Sequence, residues 1–151
     1  MNLFEYAPNP IVWIDFLGLT PSKKSSHSDD PERQKCGTGK WIRHPEKIEH
    51  ATSYNEARRR AIKESRLEGV PTKPFISYMG PDKGKVLGSQ SLDGYNHWRI
   101  DYDPKSSKQF HVNWRRIYRD KKGNCVQETG AYLLPGGQDS YWYQRERMPK
   151  L

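Results

Sequence analysis

No run in this chain approaches the roughly 18 consecutive apolar residues that cross a bilayer as a helix, so no membrane span is expected. A secretory signal is not expected either, because the front end has no basic start and Pro8 and Pro10 break its apolar stretch. Cysteine is scarce. The 2 present, Cys36 and Cys125, form no CxxC pair and no Cys/His cluster with zinc spacing, which argues against a structural zinc site. They read as free thiols, with a single disulfide as the alternative. An H-x-E element with P-C-x-x-C is also missing, which sets aside zinc-dependent deamination. Apolar residues are few, at 33%, with a mean hydropathy of −1.05, so part of the chain is expected to be loose or very polar. Positive charge is lacking at the front: Asn2 to Thr20 holds no Lys or Arg, in a chain of net charge +8.

Aromatic residues are plentiful instead, at 12% with 5 Trp and 9 Tyr, enough to build a modest core in one domain of a 151-residue chain. Residues 51–151 carry 19 Lys and Arg against 11 Asp and Glu, the whole of the +8. Such a balance favours a polyanionic partner, since cations near phosphates gain Coulomb energy and release counterions.

The uncharged-to-acidic front end, NLFEYAPNPIVWIDFLGL at residues 2–19, orders its aromatic, Asn-Pro, Asp and Gly-Leu elements in a specific way. It resembles the end of the YD-repeat shell in Rhs-type polymorphic toxins, departing at Phe16, where that family usually has Pro. The resemblance implies that residues 1–19 close a shell whose intramolecular aspartyl protease cuts after Leu19, with Asp15 as a matching acid. It further implies that the remainder is a toxin domain, delivered into the cytoplasm of a target bacterial cell and neutralised at home by an immunity protein. The chemistry of that toxin has to come from the rest of the chain.

Residues 20–50 are rich in Ser, Lys, Asp, Gly and Pro and read as a flexible linker, with Trp41 and Ile42 able to dock on the folded body. Residues 51–151 read as the domain proper. Ser53 followed by Glu56 fits a capping box that opens a helix running from Tyr54 to about Leu67, with Gly69 as its stop. Tyr54, Ala57, Ala61 and Ile62 make its apolar stripe, and Arg58, Arg59, Arg60, Lys63 and Arg66 make a basic face that suits phosphate. Short β-like runs follow between Gly, Pro and Asp turns: 74–79, 85–91, 97–103, 109–119, and two more beyond. The expected fold is therefore α+β: an N-terminal helix followed by a twisted antiparallel β-sheet meander, preceded by the linker.

Two runs carry the chemistry. In HWRIDYD at 97–103, Trp98, Ile100 and Tyr102 alternate with His97, Arg99, Asp101 and Asp103. In QFHVNWR at 109–115, Phe110, Val112 and Trp114 alternate with His111, Asn113 and Arg115. If DPKSSK closes a hairpin with Asp103 across from Gln109, Asp101 faces His111, Arg99 faces Asn113 and His97 faces Arg115, and both apolar sets fall on one side. The polar side then holds two His, two Arg, an Asp and an Asn, a selection unlike the Thr, Lys and Glu of an ordinary solvated strand face.

Cutting RNA without a metal needs a group to take the 2′-OH proton, a group to protonate the leaving oxygen, and cations to hold the phosphate. Histidine suits proton transfer near neutrality and arginine suits the phosphate. The expected assignment is His111 as principal acid/base, Asp101 orienting it, His97 as its complement, and Arg99 in the catalytic group. Arg115, Asn113, Arg59, Thr129 and Tyr132 are the substrate-binding candidates. No cofactor and no metal are called for. A helix and then a meander with an active sheet face is similar to the barnase, EndoU, colicin D and RelE group of ribonucleases, which implies an RNA substrate. A basic active face implies an immunity protein with an acidic surface. Two other enzymes stay open: an NAD-dependent ADP-ribosyltransferase built on Arg99 and Glu128, and a metal-dependent DNase of the HNH kind suggested by HVN at 111–113. A domain that only binds nucleic acid is the non-enzymatic alternative. Tyr141, Trp142 and Tyr143 near the end form an aromatic cluster for packing or for base stacking.

Overall fold

A computed structural model describes residues 40–151. The junction at 1–19 with Asp15 and Leu19, most of the segment 20–50, and Cys36 lie outside the described residues. Among the described residues nine elements follow one another: β1 (Trp41–Arg43), β2 (Lys47–His50), α1 (Tyr54–Glu64), β3 (Thr72–Ile76), β4 (Val86–Ser91), β5 (His97–Asp103), β6 (Gln109–Arg119), β7 (Cys125–Leu133) and α2 (Gln138–Glu146). Among the described residues the strands form one sheet in the order β1-β7-β6-β5-β4-β3, with β2 also paired to β7.

The structure corrects the expected fold. Two strands at the end of the segment expected as a linker precede the helix, and both run parallel to the last strand, so the sheet is mixed and not purely antiparallel. Trp41 lies opposite Cys125 and Lys47 opposite Gly130, with Pro45 in the break between the two strands. WIR and KIEH are too short and too charged to show a strand period, and they become strands only because β7 offers them a free edge. The two β-like runs expected beyond residue 119 are one strand, β7, and the chain ends in a helix, α2, where only an aromatic cluster was expected. Cys125 is completely buried and disulfide-bonded, so it is not the free thiol expected. Among the described residues no helix is long and apolar enough to cross a membrane.

Helix α1 starts where the sequence places it. Ser53 Oγ accepts a hydrogen bond from the Glu56 amide at 3.1 Å, satisfying a donor that the first helical turn leaves open. The Glu56 carboxylate reaches back one residue further than a capping box requires, to the Thr52 amide at 2.8 Å. The helix ends earlier than expected, at Glu64, and Arg66 leaves it in the left-handed region at φ 61°.

The central hairpin has the register that its alternation requires: Asp103 pairs with Gln109, Asp101 with His111, Arg99 with Asn113 and His97 with Arg115. Its apolar face, Trp98, Ile100, Phe110, Val112 and Trp114, forms the core with Ala57 and Ala61 of α1 and Tyr141 of α2. Tyr141 stacks on Tyr102 and meets Phe110 edge-on, and its hydroxyl donates to the Asp82 carboxylate, which Arg145 also binds at 2.8 Å. The final turn is thereby pinned to the β3–β4 loop. Beside the core, the Trp114 indole lies over Gly130, where any Cβ would collide with the ring. With both helices on the apolar face, the polar face of the same strands is left for chemistry.

Candidate active site on the polar sheet face

Alternation along β5, β6 and β7 sends His97, Arg99, Asp101, Asn113, Arg115 and Thr129 to the face opposite the helices, and all six line one cavity of about 340 Å³. Asp101 is its hub. Oδ1 accepts from the Tyr102 amide at 2.9 Å, and Oδ2 accepts from Asn113 Nδ2 at 3.3 Å. The same Oδ2 is 3.7 Å from Arg99 Nη2 and 3.7 Å from His111 Nε2. Its side chain is 40% exposed, which makes it the carboxylate of the His–Asp pair open to a substrate.

His111 is placed differently from its expected role. It is 2% exposed and does not line the cavity. Its Nδ1–H donates to the Gln109 carbonyl at 2.7 Å, which leaves the Nε2 lone pair facing Asp101. Gln109 itself sits at φ 48°, a left-handed conformation that a non-glycine residue adopts only under constraint, and this turn aims its carbonyl at the imidazole. Burial lowers the His111 pKa, against the Gln109 hydrogen bond and the Asp101 charge, which raise it. The ring is neutral at pH 7, and its free nitrogen faces Asp101 Oδ2 at 3.7 Å. The order is therefore Asp101 in front and His111 behind it.

His97 is also neutral. Burial, then the Arg115 and Arg99 charges, push its pKa down to about 3, and Arg99 Nη1 donates to its Nε2 at 3.0 Å. A nitrogen held this way positions a guanidinium, and the lowered pKa leaves the ring neutral at pH 7. Arg115 is committed too, through Nε to the Tyr95 carbonyl at 2.9 Å and Nη2 to the Gly94 carbonyl at 3.0 Å. It braces the β4–β5 turn and lends the cavity its charge.

Two substrate-binding candidates lie elsewhere. Arg59 is exposed on α1, on the far side of the sheet, and Tyr132 is buried there beneath the Arg60 guanidinium at 4.5 Å. Neither belongs to the cavity. Two charged residues that sequence reasoning passed over do: Lys108 and Glu46, ion-paired at 3.1 Å. Lys108 was open to discovery, since it ends the hairpin turn one residue before the paired strand. Glu46 gave no signal, because only the parallel docking of β1 and β2 brings it there.

Glu128 faces the helices, bound to Arg116, which also binds Glu64 at 2.8 Å. Arg99 and Glu128 therefore point to opposite sides of the sheet, which removes the pairing on which the ADP-ribosyltransferase alternative was built. Among the described residues no three His, Cys, Asp or Glu side chains are grouped to hold a metal ion. In comparisons with known proteins, no family model and no curated protein matches the chain.

Proposed function

We propose that the folded body is an endoribonuclease that cuts RNA without a metal, and that it is the toxin domain of an Rhs-type effector. The observation that carries this reading is the meeting of Asp101, Arg99 and Lys108 in one cavity, with His111 hydrogen-bonded and waiting behind Asp101. In the reaction the 2′-oxygen attacks phosphorus, its proton passes to the Asp101–His111 pair, and the bond to the 5′-oxygen breaks, leaving a 2′,3′-cyclic phosphate. The departing oxygen takes a proton from the Lys108 ammonium, which Glu46 holds at the cavity wall. Arg99, steadied by His97, offsets the charge that grows on the equatorial oxygens.

The resemblance of residues 2–19 to the Rhs junction supports the wider setting: release from a parent shell, delivery into a bacterial cytoplasm, and an immunity protein at home. A cavity rich in cations on a basic body is best blocked by an acidic partner surface. The test is expression of the chain and of its Asp101→Asn and His111→Ala variants, followed by examination of total RNA and total DNA. Degraded RNA with the parent chain and intact RNA with both variants is expected. A strong growth defect beside intact RNA sinks the ribonuclease reading, and NAD-dependent labelling or EDTA-sensitive DNA loss replaces it with one of the alternatives.

A further inference from the structure

On the helix side of the sheet a second recess, about 440 Å³, lies between α1, the end of α2 and strand β3. Three cations line it, Arg58, Lys73 and Arg147, with no Asp or Glu among the lining residues. Several arginines of the body are matched to carboxylates, Arg60 to Glu49, Arg116 to Glu64 and Glu128, Arg145 to Asp82, while Arg43 and Arg66 lie over Trp41 and Tyr118. In the recess the guanidinium groups also rest on rings, Arg58 at 5.2 Å over Trp98 and Arg147 at 3.5 Å over Tyr143. Aromatic faces hold the side chains in place without neutralising them. Two guanidinium charges, Arg58 and Arg147, on a concave site with no carboxylate in its lining are stabilised by an anion, with neutral donors on Asn55, Ser89 and Gln144 around it, and Lys73, in the strand row of Gln90 and His97, stands on β3 at its edge.

Strands β3 and β4 lie between the sheet edge at this recess and the candidate active site, whose lining begins at β5. Pro74, in the row of Ser89 and Trp98, faces the recess, while Lys73 and Phe75 stand in the rows of His97 and Arg99, Phe75 4.8 Å from the His97 ring and 5.4 Å from the Arg99 guanidinium. Since β3 is the edge of the sheet among the described residues, one flexible polyanion can pass over it and enter both.

We propose that this recess is a second phosphate-binding subsite for single-stranded RNA, engaging the same strand whose scissile bond sits on the polar face. The identity of the ligand rests on the ribonuclease reading above; the anion site itself does not. A concave, nucleotide-sized recess favours a phosphate over an acidic protein, whose carboxylates spread over a flatter surface.

The experiment measures binding of a fluorescent 12-nucleotide single-stranded RNA by anisotropy between 50 and 200 mM salt, for the parent chain and for the Arg58→Gln/Lys73→Gln/Arg147→Gln variant. Three lost contacts reduce the slope of log affinity against log salt by about 2, so the parent's affinity falls about 20-fold more than the variant's over that range. Arg58→Lys with Arg147→Lys, which keeps the charges, retains most of the slope, and equal thermal melting of all forms shows that folding is intact. Cleavage of a dinucleotide, too short to reach the recess, is unchanged in the triple variant. Equal slopes for parent and triple variant overturn the proposal, as does a parent chain that binds no RNA. Loss of binding to polyglutamate with RNA binding kept assigns the recess to an acidic protein and also overturns it. Failure of the ribonuclease reading looks different: the slope difference persists while neither the RNA nor the dinucleotide is cut.

Discussion

Lowering the pH from 7 should destabilise the fold through His97 in a way that His97→Gln removes. In the unfolded chain this imidazole titrates near 6.5, and in the folded body burial and the Arg115 and Arg99 charges hold it at about 3. The unfolded state therefore takes the proton first as acid is added. Stability from the neutral ring is complete above pH 6.5 and is lost as the pH falls from there towards 3. Each pH unit inside that window costs up to about 1.4 kcal/mol per proton, which sums to about 2 kcal/mol at pH 5 and about 3 kcal/mol at pH 4. Gln keeps an acceptor for Arg99 and carries no titrating group. Urea unfolding followed by tryptophan fluorescence at pH 7 and pH 5 gives the stability gap between parent and variant. The gap should shrink by about 2 kcal/mol on acidification, with the carboxylates and His111 titrating alike in both proteins. An unchanged gap would refute the desolvated, cation-flanked His97 and the role in positioning Arg99 derived from it.

Other consequences are as open to measurement. Asp101→Asn should lower kcat/KM for RNA cleavage by about 10²–10⁴, with melting little changed, because the side chain is half exposed and the acid/base pair loses its front member; wild-type rates would remove Asp101 from the chemistry. Arg116→Met leaves the Glu128 carboxylate, 13% exposed, without its cation, and should cost about 3 kcal/mol in denaturant unfolding. Adding Glu128→Leu should recover most of it, and a double variant as unstable as the single one would contradict the pairing. Gly130→Val drives a side chain into the Trp114 indole and should cost about 1–3 kcal/mol, read as a lower urea midpoint; an unshifted midpoint would mean the ring does not pack there.

Much of the site was legible because its code is local. Period-two alternation in HWRIDYD and QFHVNWR divides core from polar face, and a one-residue slip of the hairpin would expose Trp98 and Trp114, so a single register is tolerable. The helix start at Ser53 was legible for a similar reason, since the cap lies three residues from the amide it satisfies. WIR and KIEH were not legible, because their strand state is imposed by β7, more than eighty residues away along the chain. Nor could alternation tell the two His roles apart. It puts both on the polar face, whereas depth beneath that face, the strained Gln109 turn and the nearby arginines set which of them meets a substrate and what charge it carries.

By itself, then, the sequence determined the central hairpin, its two faces and the set of residues on the polar one, since these follow from spacing between near neighbours. Tertiary structure alone decided that Asp101 stands in front of His111, that Glu46 joins Lys108 at the cavity, and that Arg58 and Arg147 share a recess across the sheet. Burial and distance between residues remote in the chain govern desolvation and Coulomb energy, and neither is written in local pattern.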